Sequence, residues 1–218
     1  MSRNKEWLMA RSKLLEKYAN SISSAVDSVH LNLDYPDCGW IDTHVLVNGE
    51  ETEVISISDV YDPFEDITEW LENMVQHIFD FMPSGVNIDC ESGDHRLLYY
   101  EPIFYPTDVM LTPDPPSLYG IFYIYDTYDN KIVTDAFCDT KEFINNIYSD
   151  ILNYAKRVSE NDSFVDDWIV PAYNSEYAAF EDDNAPAIRD IFIKKVTSKP
   201  IEDFLSNENS VKRFIQIK

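Results

Sequence analysis

Along the N-terminal stretch the apolar positions recur at helical spacing. Trp7, Leu14, Tyr18, Ile22, Ala25 and Val29 fall on one stripe, separated by three, four or seven residues. Lys5, Arg11, Lys13 and Lys17 lie mostly off that stripe, so the helix it predicts has a basic outer face. The period then drops to two. Val29, Leu31 and Leu33 alternate with His30, Asn32 and Asp34, the signature of a half-buried strand. Two β-rich runs follow, Trp40–Val47 and Thr52–Ser58, around Asn48-Gly49 with Glu50 and Glu51. Asn-Gly between such runs is the strongest short-range hairpin signal in the chain.

Helical spacing returns at Asp62-Pro63-Phe64-Glu65. Asp62 can cap, Pro63 suits the first helical position and Glu65 can close a capping box. Phe64, Ile67, Trp70, Leu71, Met74, Val75, Ile78 and Phe79 form the buried stripe through about residue 81, with Pro83-Ser84-Gly85 ending the helix. Glu65, Asp66, Glu69, Glu72, Asn73 and Gln76 are left to face water. Strands are predicted at Val86–Cys90, Arg96–Tyr105 and Thr107–Thr112, with a turn at Ser92-Gly93-Asp94 and a rigid loop at Pro113–Pro116. A second hairpin, Leu118–Tyr125 and Lys131–Phe137, turns through Asp126–Asn130. Another capping box, Asp139-Thr140-Lys141-Glu142, opens a long helix whose inner face is Phe143, Ile144, Ile147, Tyr148, Ile151, Leu152, Ala155 and Val158.

Hairpin followed by capped helix thus occurs twice, at 40–81 and 118–158, a possible ββα pseudo-repeat. The expected fold is α+β: an antiparallel sheet with two or three amphipathic helices packed on one face. Residues 1–160 form the core, and 161–218 a C-terminal extension packed on the same domain. In that extension Phe164–Val170 reads as a short helix or turn around Trp168, and Asn174–Glu181 as a helix. Ile188–Val196 is ambiguous, Ser198–Leu205 is a short helix start, and Val211–Lys218 alternates like a strand.

Charge changes the picture more than composition does. The 218 residues carry a net −23, but residues 1–20 and 194–218 are each +3. Residues 21–193 hold 35 acidic groups against six basic ones, so the acidity belongs to the folded centre. Such a field repels nucleic acid and anionic membranes and attracts basic partners. It also gives the basic N-terminal helix an acidic body on which to dock.

Candidate chemistry is sparse. Cys38, Cys90 and Cys138 have no paired spacing and read as reduced thiols of a cytoplasmic protein. The first residues lack a signal peptide's apolar run, and no stretch approaches the ~20 apolar residues of a membrane span. His30, His44, His77 and His95 show no ligand spacing, with Cys38–His44 and Cys90–His95 the nearest pairs. Asp126–Asn130 and Glu181–Asn184 lack the alternating acceptors and central glycine of a calcium loop. Five glycines in the whole chain leave no phosphate-cradling loop and no dinucleotide fold. No catalytic residue, metal or cofactor is therefore assigned.

One further pattern concerns binding. In the strand 118–125 the even positions, Leu118, Gly120, Phe122 and Ile124, suit a core under the helices. The odd positions are Tyr119, Ile121, Tyr123 and Tyr125, so the other face is rich in tyrosine, a residue well suited to interfaces. Either the last 60 residues cover that face or a partner does.

The runs DPFEDITEWLENMVQHI, IDCESGDHRLLYYEP and YGIFYIYDTYDNKIVTDAFCDTKEFINNIYSDIL resemble, in layout, small acidic α+β proteins of bacteria. Some of these act as immunity proteins beside polymorphic toxins. The likeness spans about residues 40–158 and implies binding rather than catalysis. The leading expectation is a non-enzymatic protein that holds a basic partner such as a toxin or nuclease domain. Glu50, Glu51, Glu65, Asp66, Glu69 and Glu72 would steer it, and Tyr119, Tyr123 and Tyr125 would anchor it if their face is open. The alternatives are a small hydrolase or transferase using carboxylates as acid and base, and a structural subunit whose tyrosine face makes a homodimer.

Overall fold

The computed structural model describes residues 3–19, 26–78, 80, 82–90, 95–103, 118–159, 168 and 185–206. In chain order the elements are α1 (Arg3–Ala19), β1 (Val29–Leu33), β2 (Trp40–Val47), β3 (Glu50–Ser58), a 3-10 turn (Asp59–Tyr61), α2 (Phe64–Gln76), β4 (Ser84–Asp89), β5 (His95–Ile103), β6 (Tyr119–Asp126), β7 (Lys131–Asp139), α3 (Thr140–Ser159), α4 (Ala185–Val196) and α5 (Lys199–Ser206). The fold is α+β, with fully antiparallel strands divided between two sheets, β1-β2-β3 and β4-β5-β6-β7.

The period-two segment at 29–33 buries Val29, Leu31 and Leu33 and pairs along its length with β2. Asn48 and Gly49, at φ 54° and 81°, make the two-residue turn expected between β2 and β3. Glu50 and Glu51 do not sit in that turn. They begin β3, opposite Val47 and Leu46.

In α2 the stripe Phe64, Ile67, Trp70, Leu71 and Met74 is buried, at about 1.5–3 kcal/mol for each large side chain taken from water. The capping differs in detail from the expected box. Pro63 stands one position before the helix, its carbonyl accepting from Ile67 N–H at 2.9 Å, while Asp62 Oδ1 accepts from Phe64 N–H at 3.1 Å. Glu65 stays in solvent, and the helix ends at Gln76 rather than near 81. In α3 the cap forms as expected, with Asp139 Oδ1 accepting from Glu142 N–H at 3.0 Å.

One continuous core joins the inner faces of both sheets to α2, α3, α4, α5 and Trp168. The helices lie across the halves: α3 packs chiefly on β1 and α2 on β4. The sheets adjoin where Arg96 Nε meets Glu53 Oε1 at 3.2 Å and Thr134 donates to the Thr52 hydroxyl at 3.2 Å. Gly120 is required in β6, because a Cβ there would overlap the Tyr100 ring, which is fully buried with its hydroxyl 2.8 Å from Thr140 Oγ1.

The ambiguous segment at 188–196 is helical, and α4 buries Phe192 edge-on to Phe64 (centroids 5.3 Å). The α5 start is capped by Ser198, whose hydroxyl accepts from Ile201 N–H at 3.2 Å. Trp168 is fully buried against Phe64. The expected continuation of the first helix through Ile22 and Ala25, the turn at 92–94, the strand at 107–112, the loop at 113–116, the helix at 174–181, the acidic cluster at 181–184 and the strand at 211–218 lie outside the described residues. No helix among the described residues is long and apolar enough to cross a membrane.

Candidate protein-binding surface

The tyrosine-rich face of the second sheet is closed. Tyr123 and Tyr125 are buried, at 0% and 3% exposure, and Tyr119 is half-buried. Among the described residues the cover over Tyr123 is α1. Leu14 and Tyr18 pack with Ile121, Tyr123 and Phe137, and Trp7 lies 5.6 Å from the Tyr99 ring, which stacks on Tyr123 at 5.2 Å. Charge fixes the docking. Arg11 forks onto Glu101, with Nε donating to Oε2 at 2.9 Å, and Lys17 and the Tyr18 hydroxyl (2.6 Å) both reach Asp135. Burial and the Asp135 hydrogen bond push the Tyr18 phenol upward, and burial raises Tyr123. Tyr123 and Tyr125 are thus unavailable as anchors. An apolar face of this size was matched by the chain's own basic amphipathic helix, while α4 and α5 pack instead on α2 and α3.

The six steering carboxylates fall into two separate groups. Glu65, Asp66 and Glu69 are exposed on the outer face of α2 and Glu72 is half-buried there, so 65, 69 and 72 form a ridge of about 10 Å. No lysine or arginine occurs within α2, and Lys195 approaches its first turn, 3.4 Å from Glu65. Glu50 and Glu51 sit at the opposite end of the β2–β3 hairpin. Glu51 is tied to His44 Nδ1 at 2.6 Å, and His44 Nε2 meets Asp34 at 3.2 Å. Those two hydrogen bonds raise the His44 pKa.

The other histidines also rest beside carboxylates: His30 by Asp150 (3.0 Å), His77 by Asp80 (2.7 Å) and His95 by Asp89 (3.8 Å). Among the described residues no three His, Cys, Asp or Glu side chains converge as a metal site. Asp126 Oδ1 accepts from the Tyr128 and Asp129 N–H groups at 2.8 and 3.0 Å, which makes 126–130 a hairpin turn.

The surface that pattern reading missed lies at the α2 end of the first sheet. Tyr35, Trp40, Val60 and Tyr61 are exposed there by 49%, 37%, 66% and 48%. Their backbone is held firmly. Asp37 and Trp40 exchange both backbone hydrogen bonds (2.8 and 3.0 Å) around Cys38-Gly39, Trp40 pairs with Ser58, and Asp59 N–H donates to the Gly39 carbonyl at 2.9 Å. Arg157 donates to the Leu33 carbonyl and lies over the rings of Tyr35 (5.0 Å) and Tyr154 (5.4 Å). Asp62, half-buried beside this end, is pushed up to about 6 by desolvation, against the pull of the Phe64 N–H and Lys195. Tyr35 and Tyr61 lie in connections and Trp40 at the first position of β2, where periodicity carries no signal, so what remained was their local density, in YPDCGW and SDVYD.

Comparison of the chain with protein-family models, with curated proteins and with solved structures finds no match.

Proposed function

We propose that this chain is a non-enzymatic acidic protein that sequesters a basic protein partner, in the manner of an immunity protein or a nucleic-acid mimic, with a toxin or nuclease domain as the kind of target. The observation that carries this reading is the outer face of α2, where Glu65, Asp66 and Glu69 stand in solvent beside Glu72 on a helix without a basic residue. A carboxylate ridge on a strongly acidic body accelerates encounter with a cation-rich surface and rejects nucleic acid and anionic membranes. Such steering acts mainly on the association rate and weakens as salt screens it.

The test compares the wild-type chain with a Glu65→Lys, Asp66→Lys, Glu69→Lys, Glu72→Lys variant, each tagged and used as bait in native extract at low and at moderate salt. A single basic protein should be retained by the wild type at low salt, reduced at moderate salt, and captured several-fold more slowly by the reversed variant. Equal capture by both chains, with the variant still folded by circular dichroism, would remove α2 from the reading. Retention of nothing but the chain itself would replace the reading with self-association.

A further inference from the structure

Large apolar side chains on a protein surface mark interaction sites when they are contiguous and rimmed by polar groups. Tyr35, Trp40, Val60 and Tyr61 share one end of the first sheet, and the two segments that carry them are unusually charged. Residues 34–42 and 58–66 together contain seven carboxylates (Asp34, Asp37, Asp42, Asp59, Asp62, Glu65 and Asp66) and no lysine, arginine or histidine. Among the described residues, Arg157 and Lys195 approach and are engaged within the fold, Arg157 on the Leu33 carbonyl and Lys195 on Glu65. An anchored backbone lowers the ordering cost of docking, and Trp and Tyr are the side chains that most often dominate binding energy.

We propose that this end of the sheet is the docking site for the basic partner, which inserts an aliphatic or aromatic side chain flanked by lysine or arginine between Trp40, Val60 and Tyr61. The inference rests on the functional reading above and adds its anchor. Charge selects the occupant. A second copy of this chain would bring seven more carboxylates against these seven, and an anionic membrane or nucleic acid would be repelled likewise. A basic segment satisfies the rim, and its apolar side chain satisfies the centre.

The test uses the full chain and two fluorescent nonapeptides of equal charge, one alternating lysine with leucine and the other lysine with glycine. Binding is followed by anisotropy at about 25 and about 300 mM salt, which span weak and strong screening. Both peptides should bind at low salt. At the higher salt the leucine peptide should remain at least about tenfold tighter than the glycine peptide. Val60→Ser with Tyr61→Ser, both outside the strands, should abolish that advantage, as should Trp40→Ala. Tyr128→Ser, a still more exposed tyrosine at the β6–β7 turn, should leave it intact. Unchanged thermal midpoints establish that each variant is folded.

Equal affinity for the two peptides, or an advantage that survives the Trp40 and Val60/Tyr61 variants, overturns the docking site and leaves the acidic-binder reading standing. Binding of neither peptide at low salt overturns both. A dimer in sedimentation that Val60→Ser with Tyr61→Ser dissolves would assign the surface to a second copy instead.

Discussion

Replacing Asp62 by asparagine should make the protein more stable at neutral pH, although it removes a carboxylate from the start of a helix. The Asp62 carboxyl is desolvated beside α2, within the field of Glu65 and Asp66, and titrates at about 6 instead of 3.8. A displacement of about two pH units corresponds to about 3 kcal/mol between the charged and neutral forms. The sign follows from proton uptake. Between about pH 4 and 6 the folded protein retains a proton that the unfolded chain has lost, so stability falls as pH rises through that window. Above it the whole cost of burying the charge remains. Asparagine keeps the Oδ1 acceptor that receives the Phe64 N–H and carries no charge. Urea unfolding from pH 4 to 8 should show the two proteins within about 0.5 kcal/mol at the acid end. They should diverge to about 2–3 kcal/mol at neutral pH, a midpoint difference of roughly 1 M. Because the other carboxylates are common to both, only Asp62 contributes to the difference. A difference that stays flat across the pH range, or an asparagine variant less stable throughout, would refute the reasoning.

Three further outcomes are expected. Gly120→Ala drives a methyl group into the Tyr100 ring inside the sheet and should cost about 1–3 kcal/mol in chemical denaturation, with an unaltered slope. Arg11→Met leaves Glu101 facing an apolar neighbour at 7% exposure, and should cost about 2–4 kcal/mol while speeding hydrogen exchange in α1 far more than in β2. His44, raised by Glu51 and Asp34, contributes stability that is complete below the ordinary histidine value of about 6.5 and is lost as pH rises through the higher folded value. NMR titration should place its transition above the ordinary histidine value of about 6.5 and show it falling in high salt.

Elements with a clear period were legible in the chain, and those defined by long-range pairing were not. The Asn48-Gly49 turn, the alternation at 29–33 and the stripe of α3 are local patterns that form where they were expected, and α2 begins where expected but stops at Gln76. The laying of α3 on β1 depends on contacts across more than a hundred residues, such as Leu31 N–H on Asp150, and periodicity carries no information about these or about where one sheet ends and the next begins. The candidate site divides the same way. Glu65, Asp66 and Glu69 were readable as the outer face of a helix. Tyr123 and Tyr125 misled because an apolar strand face signals burial without saying what does the burying. The basic residues Arg11 and Lys17 held that answer, and they reach Glu101 and Asp135 as a helix suited to an acidic body should.

The separation between α1 and its seat also bears on how the protein comes to fold. Lys17 and its partner Asp135 stand 118 positions apart, and Arg11 and Glu101 stand 90 apart. During synthesis at about 5–20 residues per second, α1 waits on the order of 6–24 s before β7 exists to receive it. For most of that interval Trp7, Leu14 and Tyr18 lack the strands they cover, since β5 begins only at residue 95, whereas the β1–β2–β3 meander is complete once residue 58 has been added. A basic amphipathic helix exposed for so long needs a temporary shelter, and the acidic first half of the chain is the nearest one available.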